Sequence, residues 1–112
     1  MATGILGTAD LAAAANATVY TVPADTFSVV TVNITNRNSA SRDIRLAVSA
    51  TGTPTNAEYL EYDTELLGNG SLERGGIVLD ATKNIVCYSN STDVNVVAVS
   101  YTHLTLPTTS RV

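Results

Sequence analysis

The segment Asp43 to Ala50, DIRLAVSA, sorts its side chains by parity. Ile44, Leu46, Val48 and Ala50 fall on one side of an extended chain, and Asp43, Arg45, Ala47 and Ser49 on the other. A helix, turning every 3.6 residues, would scatter both sets around its surface, whereas a strand of period two keeps them apart. FSVVTVNITN, Phe27 to Asn36, repeats the pattern, with Val30, Val32 and Ile34 opposite Val29, Thr31, Asn33 and Thr35. The polar stretch NRNSAS, Asn36 to Ser41, joins the two runs, which predicts an antiparallel hairpin.

The rest of the chain reads the same way. TVYTVP, Thr18 to Pro23, is a short strand stopped by Pro23, which has no N–H for a ladder. AEYLEYD is a strand with Leu60 and Tyr62 on one face, and Gly68-Asn69-Gly70 is a turn. Gly75-Gly76 inside LERGGIVLD predicts a bulge or a tight bend. IVCYS and VNVVAV close the series. Strands at this spacing with no helix between them define an all-β fold: an antiparallel β-sandwich or jelly-roll-like domain of about seven to eight short strands. Its expected core is Val30, Val32, Ile34, Ile44, Leu46, Val48, Leu60, Ile77, Leu79 and Ile85. The domain is expected over residues 18–98, preceded by a short N-terminal arm, residues 1–17. In that arm ADLAAAANA is either one helical turn capped by Asp10 or extended.

Composition narrows the function. The 112 residues suffice for one core. Charged residues make up only 14% and the net charge is −4, so the chain lacks the basic footprint of a nucleic-acid binder despite Arg37, Arg42 and Arg45. No apolar run approaches the ~18 residues of a membrane span. The N-terminus has no basic segment, and Asp10 interrupts its apolar run, so a soluble protein without a classical export signal is expected. Cys87 is the sole cysteine, set in an apolar run, and reads as a buried, inert thiol. Neither metal nor cofactor is expected.

The acidic run Glu58, Glu61, Asp63, Glu65 matches no cation-loop spacing. Alternating tyrosines and carboxylates make either a solvated strand face or a surface that takes a sugar, and Tyr59, Glu61, Tyr62 and Asp63 are the candidate ligand face. Glu73 and Arg74 point oppositely on a strand and so do not pair with each other; Arg74 either braces a turn, the favoured reading, or clamps a ligand carboxylate. The final strand, apolar on both faces from Val94 to Val99, must be either central or covered by another subunit. Val94 and Val96, with Leu11 from the arm, are the expected interface.

A base for nucleophilic catalysis would have to be His103, the only histidine. It lies in VSYTHLTLPT, Val99 to Thr108, which resembles, residue for residue, the translation of a sequencing-library adapter, GTC TCT TAT ACA CAT CTG ACG CTG CCG ACG. Thr109 to Arg111 would then derive from the index and Val112 from the constant segment after it. Residues 99–112 are therefore expected to be a non-native tail on a chain of metagenomic origin. The natural ending is expected to be missing and His103 to have no role, so no enzyme is expected.

The remaining sequence resembles small structural proteins of tailed bacteriophages, marine and cyanobacterial ones above all. The matching pieces are Val19 to Pro23, Asn36-Arg37-Asn38, Ile44 to Ala47, Asn56 to Asp63, Leu72 to Leu79 and Ile85 to Ser89, within residues 4–97. Gly76 is kept, and Gly75 stands where the family has threonine. The resemblance implies a virion component, assembled in the host cytoplasm, in a tail fibre, the neck or a capsid decoration. Its partners would be other virion proteins and copies of itself, with a trimer favoured by family analogy. The alternative is an adhesin- or lectin-like module binding a host-surface glycan.

Overall fold

The computed structural model describes residues 4–100. Its strands are β1 (Gly4–Leu11), β2 (Ala15–Thr21), β3 (Ser28–Asn36), β4 (Arg42–Ser49), β5 (Tyr59–Leu66), β6 (Ser71–Leu79), β7 (Asn84–Ser89) and β8 (Val94–Ser100). They form two four-stranded sheets, β1-β8-β3-β6 and β2-β7-β4-β5, whose ladders are antiparallel. Of the consecutive strands only β4 and β5 pair with each other; every other connection crosses from one sheet to the other. Two interleaved Greek keys of this order make a jelly roll, the finer of the two architectures expected. No helix among the described residues is long and apolar enough to cross a membrane.

Alternation in β3 is strict, and Val30, Val32 and Ile34 are fully buried between the sheets. Ile44 and Leu46 meet them from β4, Ile85 and Cys87 from β7, Val94, Val96 and Ala98 from β8, and Leu79 from β6. The Gly75-Gly76 bulge is present: Val30 faces Ile77 and Val32 faces Arg74, so both glycines stand opposite Thr31. Gly76 takes φ +69°, where any other residue would be strained.

Several expectations are corrected. β3 and β4 are not a hairpin, because the polar loop between them carries the chain across the sandwich. The N-terminal segment is no arm: Gly4–Leu11 is edge strand β1, laddered to β8, and β2 begins at Ala15. Small alanines gave no alternation to read, but an edge strand needs only a backbone ladder and a few inward anchors such as Leu11. Val94, Val96 and Leu11, the expected interface, lie in the core at 0%, 0% and 2% exposure. β8 reads as apolar on both faces because it is central in its sheet, between β1 and β3. It also runs on through Val99 and Ser100, past the boundary at residue 98, since both suit a strand whatever their origin. His103 and the rest of the tail lie outside the described residues.

Two core assignments change as well. Leu60 is 37% exposed, because β5 bulges twice against β4 at the sandwich edge. In β4 Ile44 and Leu46 point inward as expected and Val48 packs only partly against the core, but Ala50, past the end of the strand, is exposed. Yet outward-facing Ala47 is fully buried, as is its β7 partner Val86. The 50–58 segment folds back over that face: Gly52 lies against Thr18, and the Glu58 carboxylate takes the Ser49 hydroxyl at 3.0 Å.

Asn36 ties one end together. Its side-chain amide is buried and donates to the carbonyls of Ala40, Leu66 and Leu67 at 2.8, 3.1 and 3.2 Å, while its Oδ1 accepts the Asn38 N–H at 2.9 Å. Arg37 pairs with Asp10 at 2.6 Å, and the Asn38 amide donates to Asp93 at 2.8 Å. Gly68 passes so close to Ser39 that a β-carbon would meet its carbonyl oxygen.

Candidate functional site

The outward face of β4 and β7 presents Arg45 beside Tyr88, its partner across the ladder. On the other side of Arg45, β5 bulges. Ile44 faces Thr64 and Leu46 faces Glu61, so Tyr62 and Asp63 together oppose Arg45. Asp63 takes φ +51°, a left-handed geometry that aspartate tolerates better than most residues. Alternation breaks there, and both Tyr62 and Asp63 turn toward the guanidinium. The Arg45 Nε donates to Asp63 Oδ1 at 2.6 Å. Its guanidinium carbon stands 4.2 Å from the Tyr62 ring centroid and 4.4 Å from that of Tyr88. Planar guanidinium stacks well on aromatic faces, and the arrangement fixes both rings. The hydrogen bond to Asp63 raises the Arg45 pKa above its ordinary value.

Tyr59 continues the wall. Its ring meets Tyr62 edge-on, with centroids 4.8 Å apart and planes at 79°. Asn56, Tyr59 and Tyr62 line a cavity of about 320 Å³. The cavity floor is held by a single 3₁₀ turn, Asn56–Glu58, which begins in a capping box with Thr55. The Glu58 carboxylate accepts the backbone N–H of Thr55 at 2.8 Å and of Ala50 at 3.2 Å. These bonds, Thr55 foremost, favour the ionised form and lower its pKa.

Of the expected ligand face, Tyr59, Tyr62 and Asp63 are brought together and Glu61 is not. Glu61 turns to the interior edge, where it pairs with Arg74 of β6 and accepts the Thr64 hydroxyl at 2.8 Å. Arg74 thus braces the two sheet edges, the structural one of the two roles expected of it. A second cleft, of about 370 Å³, opens between the β5 and β6 edges, lined by Val48, Leu60, Ile77, Val78 and the Gly75-Gly76 bulge. Sequence reasoning missed Arg45, Tyr88 and Asn56. The outward position of Arg45 was legible, but nothing in the order of residues placed Tyr88 and Tyr62 on either side of it.

Among the described residues no group of three or more His, Cys, Asp or Glu side chains could hold a metal ion. Compared with protein-family models, curated proteins and solved structures, the chain matches none of them.

The outer face of the other sheet has a different character. Ile5 is 70% and Val78 67% exposed. Ile5 pairs with Val99, and Val99 with Thr31. Val29 pairs with Val78 in the next row, and Val97 continues the patch along β8. Charge enters this face at Glu73, in the row of Val97 across Asn33, and at Asp10 in the next row.

Proposed function

We propose that the chain is a non-enzymatic structural protein of a tailed-phage virion that acts by self-association and by contacts with other virion proteins. The observation that carries this reading is the aliphatic patch of Ile5, Val29, Val78 and Val97 on the outer face of the β1-β8-β3-β6 sheet, which Val99, from the segment expected to be non-native, extends in this chain. Aliphatic and β-branched, with Glu73 at its border, it is the surface a second copy would cover, and contiguous exposed patches of this kind mark contacts. The two exposed members alone would bring ~2–4 kcal/mol on burial. The interface is thereby moved from Val94, Val96 and Leu11, which the core consumes, to the opposite face of the same strands. The jelly-roll order supports the reading without deciding it, since this architecture serves both capsid and sugar-binding proteins. Location in a fibre, neck or decoration rests on the sequence resemblance, as does the preference for a trimer.

Sedimentation velocity tests the association. The wild-type chain should sediment at a multiple of 11.7 kDa at micromolar concentration, and Val78→Glu should return it to the monomer with its fold intact by circular dichroism. A monomeric wild-type chain would refute self-association through this face. Imaging of virions labelled with an antibody to the chain tests the location.

A further inference from the structure

The cavity walled by Tyr59, Tyr62 and Asn56 stands on the other sheet, away from the proposed association face. We propose that it binds a single uncharged pyranose residue, the terminal sugar of a glycan. The size suits one ring, because the depression, open to solvent and about 320 Å³, lies at the lower end of small-molecule sites. The chemistry is right as well. A pyranose carries an apolar C–H face and a rim of hydroxyls. Two tyrosine rings set at 79° offer a stacking surface and a side wall, and Tyr62 is 55% exposed for that contact. The Asn56 amide and the phenols supply donors and acceptors for the hydroxyls.

The preference for an uncharged sugar follows from Arg45. Its guanidinium stands against the Tyr62 ring, but it is bonded to Asp63 at 2.6 Å and flanked by the Tyr62 and Tyr88 rings. It therefore positions Tyr62, and the Asp63 carboxylate offsets the charge that a sugar carboxylate would meet. The site is also built before any ligand arrives: the cation holds Tyr62, and the Glu58 hydrogen bonds hold the turn that carries Asn56. Pre-organisation of this kind removes the ordering cost that makes single-sugar binding weak.

The test is a titration followed by NMR of the labelled full chain, with methyl galactoside, methyl mannoside, methyl glucoside and N-acetylglucosamine as neutral probes and N-acetylneuraminic acid as the anionic one. At least one neutral probe should shift the Asn56, Tyr59 and Tyr62 resonances with a dissociation constant on the order of 1 mM, ahead of the anionic sugar. Tyr62→Ala, at an exposed position, should weaken that probe about tenfold, while Val78→Glu should leave it unchanged. Asp63→Asn frees the guanidinium and should raise the affinity for N-acetylneuraminic acid relative to the neutral probe. No shift at these residues with any probe would overturn the proposal. So would shifts that Tyr62→Ala leaves intact, or quenching of the site on self-association, which would make it a protein contact.

Discussion

Arg74 of β6 and Glu61 of β5 form an ion pair that joins the edges of the two sheets. Arg74 faces inward opposite Val32, and Glu61 faces inward opposite Leu46, so the pair closes the sandwich where its hydrophobic contacts thin out. The Glu61 side chain is only 17% exposed, against 42% for Arg74. Removing the arginine therefore strands a carboxylate that keeps just the Thr64 hydroxyl. Arg74→Ala should cost about 1–2 kcal/mol, above the range of fully solvated pairs and below that of buried ones. Urea denaturation measures it, and a cost under about 0.3 kcal/mol would mean that the pair does not brace the edge.

Leu46 has no exposed surface and packs at the centre of the core. Leu46→Ala should cost about 2–5 kcal/mol, with the spread set by how far β3 and β7 can collapse into the void. Val48→Ala, at the partly covered end of the same face, should cost about 1 kcal/mol. Equal costs at the two sites in chemical denaturation would contradict the burial gradient along β4.

Asn36 uses its amide on three carbonyls from two loops. Asn36→Ala leaves those acceptors without this donor in a buried place, and a loss of about 2–4 kcal/mol is expected. Asn36→Asp should be at least as damaging, because a carboxylate would face the same carbonyl oxygens. Thermal unfolding of the two variants tests this, and a stable aspartate variant would show that the amide is not the tie.

Cys87 is buried, and desolvation pushes its thiol up to about 12. In the unfolded chain the thiol ionises near its ordinary value of about 8.5. The folded pKa is thus raised, so the stabilisation is present below the unfolded value and is lost as pH rises from there through the folded one. Stability should decline above about pH 9, and Cys87→Ser, which removes the titration, should flatten that decline. Thiol-directed reagents should react only as fast as the chain opens. Rapid labelling of the native protein would place the thiol at the surface.

What the order of residues determined is local. Period two in β3 and β4 fixed strands and their inward faces, because Val30, Val32, Ile34, Ile44 and Leu46 have nowhere else to be apolar together. Gly75-Gly76 was legible as a bulge or a tight bend, because glycine enters positive φ without strain, and Gly76 sits at φ +69°. What the tertiary structure alone decided is which strands lie side by side. Local pattern carries no record of pairing partners, so β3 and β4 read as a hairpin although they belong to different sheets. β1 was hidden because an edge strand of small residues has little alternation to show. Val94 and Val96 looked spare because a central strand and a subunit interface demand the same apolar residues. The candidate site depends on the same non-local information. Tyr62 and Asp63 share a face only through a bulge set by β4, and Arg45 finds Tyr88 only because β7 is laid beside it.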